Sequence, residues 1–155
     1  KKKNTVIATN ASYESILDSI KLKGKIYKIL RYFYRKYKFS KDFTNFPNPH
    51  MGTNSFLVNS KYFYNYIKNK SLNNKYDTLK IESGKKSLTN YFKKKNINIY
   101  VVNSDGKKFT ELNWKLSETY MYKNQRKNII SDKYTRSYNL ANKHKKNIAM
   151  KNTWG

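Results

Sequence analysis

Cysteine is absent, which excludes disulfides, Cys-ligated zinc and iron–sulfur clusters together. Redox compartment is left open. Glycine and proline are scarce, five and two residues in 155, and Gly84 and Gly106 stand alone in turns, so no glycine-rich phosphate loop of the Walker or dinucleotide type is present. Acid is scarce as well: nine Asp and Glu face 34 Lys and Arg, a net charge of +25. The nine carboxylates are scattered singly, His50 falls in a Pro-containing loop and His144 in a Lys-rich tail. No acid–base pair and no metal-ligand spacing is legible, so neither catalysis, a metal nor a cofactor is expected. Long apolar runs are missing too. The longest uncharged stretch, Phe43 to Ser60, holds Pro47, Pro49, four Asn and His50, and reads as a loop rather than a membrane span. No secretory succession opens the sequence, and no membrane association is expected.

What is present is basic and aromatic. Hydrophobic residues make up 37% and fifteen of them are Tyr, against roughly 45–50% apolar in ordinary globular domains. The core must be small. Unneutralised charge of one sign repels itself and weakens the compact state, so a modest folded centre with arms ordered by a polyanion is expected. The cations are 30 Lys and four Arg, joined by 21 Asn and 12 Ile. These residues share A/T-rich codons, which points to an A/T-rich organelle genome, a mitochondrion before a plastid. Lys neutralises phosphates without sequence preference, and Tyr can stack on unpaired bases. Arg is the better fork for guanine edges, so a Lys-rich, Arg-poor chain suits folded RNA read by shape and charge more than duplex DNA.

Along the chain, Asn10 or Ser12 can cap a helix whose stripe is Tyr13, Ile16, Leu17 and Ile20, with Gly24 ending it. From Lys25 to Lys38 a second helix is expected, with Ile26, Ile29, Leu30, Phe33 and Tyr37 on one face and Arg31, Arg35, Lys36 and Lys38 around it. Such a helix packs on its own domain, lies on lipid, or lies along phosphates; the net charge favours phosphates. Residues 40–60 read as irregular, Tyr62–Ile67 as a short helix, and Ser83–Ser87 as a turn. Ile97–Val102, then Asn103-Ser104-Asp105-Gly106, then Lys107–Leu112 spell a β-hairpin. Gly106 supplies positive φ and Asp105 a local hydrogen bond. Ser117-Glu118 marks another helix start. From Lys123 onward the cations face a single acid, Asp132, and no apolar stripe is found, so a tail that folds on an anionic partner is expected.

The order Ser60-Lys61-Tyr62-Phe63, Lys86-Ser87-Leu88-Thr89, Ile99 to Phe109 with its Asp-Gly turn, Ser117-Glu118-Thr119-Tyr120-Met121, Thr135-Arg136-Ser137-Tyr138 and the Lys143–Lys146 tail resembles a known succession. It is similar to that of the universal small-subunit ribosomal protein family numbered nineteen, over about 60% of the chain, with Tyr122–Tyr134 departing from the family's glycine-containing stretch. The resemblance implies an α+β fold: a small antiparallel sheet with a hairpin at about 97–112, short helices and extended basic arms. It divides the chain into a basic helical extension (1–53), an rRNA-binding core (54–122) and a basic C-terminal tail (123–155). It further implies binding to small-subunit rRNA in the head of a mitochondrial ribosome, beside the family-thirteen protein, with the tail directed toward the decoding region and tRNA. The rRNA contacts it implies are Lys86, Lys107, Lys108, Arg136, Lys143, His144, Lys145 and Lys146, with Lys123, Arg126 and Lys127 beside them. Rival readings are an organelle RNA-scaffold protein of unrelated fold, an accessory subunit of a membrane complex, and a metal-dependent nuclease.

Overall fold

A computed structural model describes residues 4–22 and 27–155. Gly24, Lys25 and Ile26 of the expected helical segments lie outside the described residues. In chain order the elements are β1 (Thr5–Ala8), β2 (Ala11–Ser12), α1 (Ile16–Ser19), α2 (Tyr27–Asp42), β3 (His50–Met51), β4 (Phe56–Leu57), α3 (Ser60–Ile67), α4 (Lys75–Ser83) and α5 (Leu88–Lys94). Then follow β5 (Asn98–Val102), β6 (Lys108–Phe109), a 3₁₀ helix (Glu111–Ser117), α6 (Lys133–Leu140) and α7 (Lys143–Trp154). The class is α+β, a small sheet with short helices, as the sequence leads one to expect.

The main sheet has the order β4-β1-β5-β6, and β2 pairs with β3 in a second, two-stranded sheet. The hairpin forms where it is expected: β5 and β6 are antiparallel, with Val101 opposite Phe109. Gly106 takes φ +73° in open space, where a Cβ would be strained by the backbone conformation alone. The turn's local acceptor is Asn103, not Asp105: its Oδ1 receives the backbone N–H of Asp105 at 3.1 Å and of Lys107 at 3.0 Å.

The sheet is mixed rather than antiparallel throughout. β1 runs parallel to β5, with Val6 opposite Ile99 and Ala8 opposite Val101. Thr5-Val6-Ile7 is a short β-branched run suited to a central strand, and parallel pairing is open to it because residues 9–97 supply the long crossover it requires. Residues expected in an added extension therefore lie at the centre of the fold.

Three apolar clusters hold the elements. Val6, Ala8, Met51, Tyr66, Leu88, Phe92 and Ile97 form the first, between the sheet and helices α3 and α5. Ala11, Val101, Trp114 and Trp154 form the second, and Ile99 packs against both. Leu17, Ile20 and Phe43 form the third, with Phe39, Tyr76 and Leu79 around them.

Other expectations are corrected. The helix proposed to start at Asn10 or Ser12 begins only at Ile16, capped by Ser15, because residues 11–12 pair with β3. No helix starts at Ser117-Glu118; the 3₁₀ helix ends there, and Glu118, Met121, Lys123 and Gln125 all adopt positive φ. The C-terminal segment is not an extended arm. Asp132 and Thr135 close a capping box on α6, and Asn142 caps α7. The backbone N–H of Tyr13 donates to Thr153 O at 3.0 Å, and the Tyr13 and Trp154 rings meet edge-on at 5.1 Å. A terminal Trp with Thr153 beside it buries enough surface to dock a segment that has no periodic stripe.

α2 forms, yet its apolar stripe is bare. Leu30, Phe33, Tyr34 and Tyr37 are 62–79% exposed, and the helix joins the core through Tyr32, Phe39 and the following Phe43.

Candidate nucleic-acid interface

The expected basic contacts fall into separate groups. Lys107 and Lys108 stand exposed just past the hairpin tip. The segment after Tyr122 folds against that tip: Ser104 N–H donates to Lys127 O at 3.0 Å, and the Lys127 ammonium meets the Asp105 carboxylate at 2.6 Å. Lys123 pairs with Glu118 at 2.7 Å. These partners hold the Lys123 and Lys127 pKa values above the ordinary lysine range, and Lys127 first among causes holds Asp105 below the usual carboxylate range. Both ammoniums are thus committed to carboxylates and are weaker phosphate ligands than their positions imply.

Arg126 and Lys146 come together. They line one polar concavity of about 610 Å³ with Asn124, Asn128, Ser131 and Asn139. Its frame is Gln125, which is buried: its Oε1 receives Met121 N–H at 3.0 Å, and its Nε2 donates to Thr135 O at 2.6 Å and Asn139 Oδ1 at 3.0 Å. One amide therefore fixes a run containing four left-handed non-glycine residues, a conformation of the costly kind that persists only when its surroundings over-determine it. Lys146 also lies 5.6 Å from the Tyr138 ring.

Lys143, His144, Lys145 and Lys146 form the first turn of α7. Cations there oppose the helix dipole, whose N-terminal end favours negative charge. Arg136 is exposed on α6, one of its guanidinium nitrogens 3.4 Å from Ser131 O.

Lys86 belongs to a different group, in the turn after α4. Its carbonyl accepts from the Tyr66 hydroxyl at 2.9 Å. Beside it Lys70 lies 4.5 Å over the Tyr66 ring, and its pKa is lowered by burial, then by the charges of Lys86 and Lys80. Neither Lys70 nor Lys80 stands out in the sequence, where a polar loop and an ordinary helix carry them; only the fold brings them to Lys86. Of the Tyr residues, Tyr13, Tyr32, Tyr66, Tyr76 and Tyr91 pack against other rings.

The carboxylates are not all solitary. Glu14 and Glu82 line one cavity with His50, an arrangement hidden in the sequence by separations of more than thirty residues. Among the described residues no group of three or more His, Asp or Glu is placed to hold a metal ion, and no helix is long and apolar enough to cross a membrane. No family model, no curated protein and no solved structure matches the chain.

Proposed function

We propose that the protein is a non-catalytic RNA-binding component of a mitochondrial ribosome, seated on small-subunit rRNA in the head. The observation that carries this reading is surplus cation held in place by the fold. Against 34 Lys and Arg, four ion pairs form among the described residues. Burial, then the charges of Lys86 and Lys80, disfavour the charged form of Lys70, and the first turn of α7 sets cations against its dipole. Phosphate relieves both. The Arg126–Lys146 concavity adds amide and hydroxyl groups suited to the backbone and 2′-hydroxyls of folded RNA. The hairpin, the Ser117–Met121 step and the Thr135–Tyr138 step that carry the resemblance to ribosomal family nineteen are compatible with this placement, and the family-thirteen protein and tRNA are the neighbours it implies.

The test is affinity for small-subunit rRNA as a function of salt. Neutralising six or more phosphates lowers affinity by about 10³-fold or more between roughly 50 and 200 mM salt. Arg126→Ala and Lys146→Ala should each flatten the log–log slope by about 1, while Lys127→Ala, already paired, changes it less. A salt-independent affinity overturns the reading.

One observation favours a second reading. The bare stripe of α2, flanked by Arg31, Arg35, Lys38 and Lys41, has the form of a helix lying on anionic lipid. Flotation with anionic vesicles, and failure to co-sediment with ribosomes after detergent extraction, would select it.

A further inference from the structure

We propose that the cavity between β2, β3, α4 and the segment before α6 binds an alkylammonium cation, either a free polyamine or a lysine side chain of a neighbouring protein. This goes beyond RNA binding and does not depend on it. The cavity, about 630 Å³, is the reverse of the surface around it. Glu14, Glu82 and Asp132 line it, and no Lys or Arg stands among the described residues of its wall. In a chain with nearly four cations per acid, four other carboxylates find a lysine. Glu14 and Glu82 do not. The Glu14 carboxylate has no hydrogen-bond partner among the described residues, and Glu82 accepts only a long 3.4 Å bond from Thr53 N–H. Burial and then the Glu82 charge raise the Glu14 pKa, so each carboxylate meets the other's charge with no cation between them.

Two further polar groups point to a ligand. Asn10 is 4% exposed, lines the cavity, and its side-chain amide has no partner among the described residues. Gly52 makes room for it: a Cβ at residue 52 would sit 1.7 Å from Asn10 Oδ1. His50, 9% exposed, places Nδ1 2.7 Å from Asn48 O. That contact requires the proton on Nδ1 and leaves Nε2 as an unpartnered acceptor in the neutral ring. The unspent groups are thus two carboxylates, an imidazole acceptor and an amide, which together match an N–H donor bearing positive charge.

The ligand is organic rather than a metal ion. The acceptors do not converge on a point; they surround a volume with Ile16, Leu79 and Met121 for a methylene stem and Tyr120 for cation–π contact. The distant lysines do not forbid it. At physiological ionic strength their field is screened beyond about 8 Å, whereas carboxylates inside a cavity act nearly unscreened.

The experiment titrates the full chain, without RNA, with putrescine, spermidine and N-acetyl-lysine methylamide, following side-chain NMR shifts and thermal melting, with Mg²⁺ as comparator. The expected result is saturable amine binding that raises the melting temperature, weakened about tenfold or more, or at least 1.4 kcal/mol, in the Glu14→Gln/Glu82→Gln double variant. Asp77→Asn, on the outer side of α4 with Lys80, should leave it unchanged. The double variant relieves like-charge repulsion, so it folds, with an unliganded melting temperature equal to or above wild type. Tighter binding of the polyamines identifies a free polyamine, and tighter binding of the lysine derivative identifies a neighbour's side chain. The proposal is overturned if no amine saturates, if the double variant binds as well as wild type, or if Mg²⁺ alone reproduces the shift and loses it in the same variant.

Discussion

His50 shows how burial turns a residue into a pH-dependent element of stability. Burial lowers its pKa from 6.5 despite the opposing pulls of the Asn48 carbonyl and the Glu82 charge. The unfolded chain binds a proton near pH 6.5 and the folded chain does so only at lower pH, so the stability from the neutral ring is full above that value and is lost as pH falls below it. Glu14 runs the other way, because its raised pKa means that its penalty is relieved on acidification. The useful measurement is therefore the difference in urea midpoint between wild type and His50→Gln. It should shift in favour of wild type as pH rises from about 5 to about 7 and stay flat above, and no change across that range would show that the ring protonates in the folded state. The Asn103 turn makes a related point. Its Oδ1 takes two backbone donors while its buried Nδ2 has no partner, so one atom of the amide specifies the turn and the other detracts from it.

Elements of this protein are decided by caps as much as by stripes. Asp132 accepts Thr135 N–H at 2.8 Å, and Thr135 Oγ1 accepts the Asp132 N–H at 2.8 Å. Asp132→Ala should cost about 0.5–2 kcal/mol in chemical denaturation, with Thr135 amide exchange accelerating more than that of the hairpin. An unchanged midpoint would mean that α6 is held by Tyr138 alone. Those caps were legible in the sequence, and a search for Asp or Asn heading a polar run would have found α6 and α7. Periodicity could not, because their buried residues, Thr135, Tyr138, Thr153 and Trp154, form no stripe. The hairpin was legible because alternation and turn chemistry are local. β1 was not, since a four-residue strand is defined by its partner Asn98–Val101, far along the chain. Most expected cations proved exposed, but which are spent on carboxylates and which are left unpaired depends on tertiary neighbours such as Asp105 and Glu118. The cavity acids were invisible for the same reason.

At the scale of the molecule the charge works in two directions. Self-repulsion among +25 opposes compaction, and salt screens it with a Debye length of about 10 Å at 0.1 M and 3 Å at 1 M. The free protein should therefore melt at a higher temperature in about 0.5 M salt than in about 0.05 M, the same change that would weaken the proposed hold on RNA. A melting temperature that falls with added salt would mean that its ion pairs outweigh its repulsion.

The link from Tyr13 to Thr153 bears on how the protein is made. Synthesis delivers Ala11 first, Trp114 much later and Trp154 last, yet all three occupy one apolar cluster. A nascent chain stalled before residue 153 can gather Ala11, Val101 and Trp114, but it leaves the Tyr13 ring without the Trp154 edge that it meets in the fold. Closure of this half of the protein therefore waits for the segment that carries Thr153 and Trp154, however early the rest of the cluster is made.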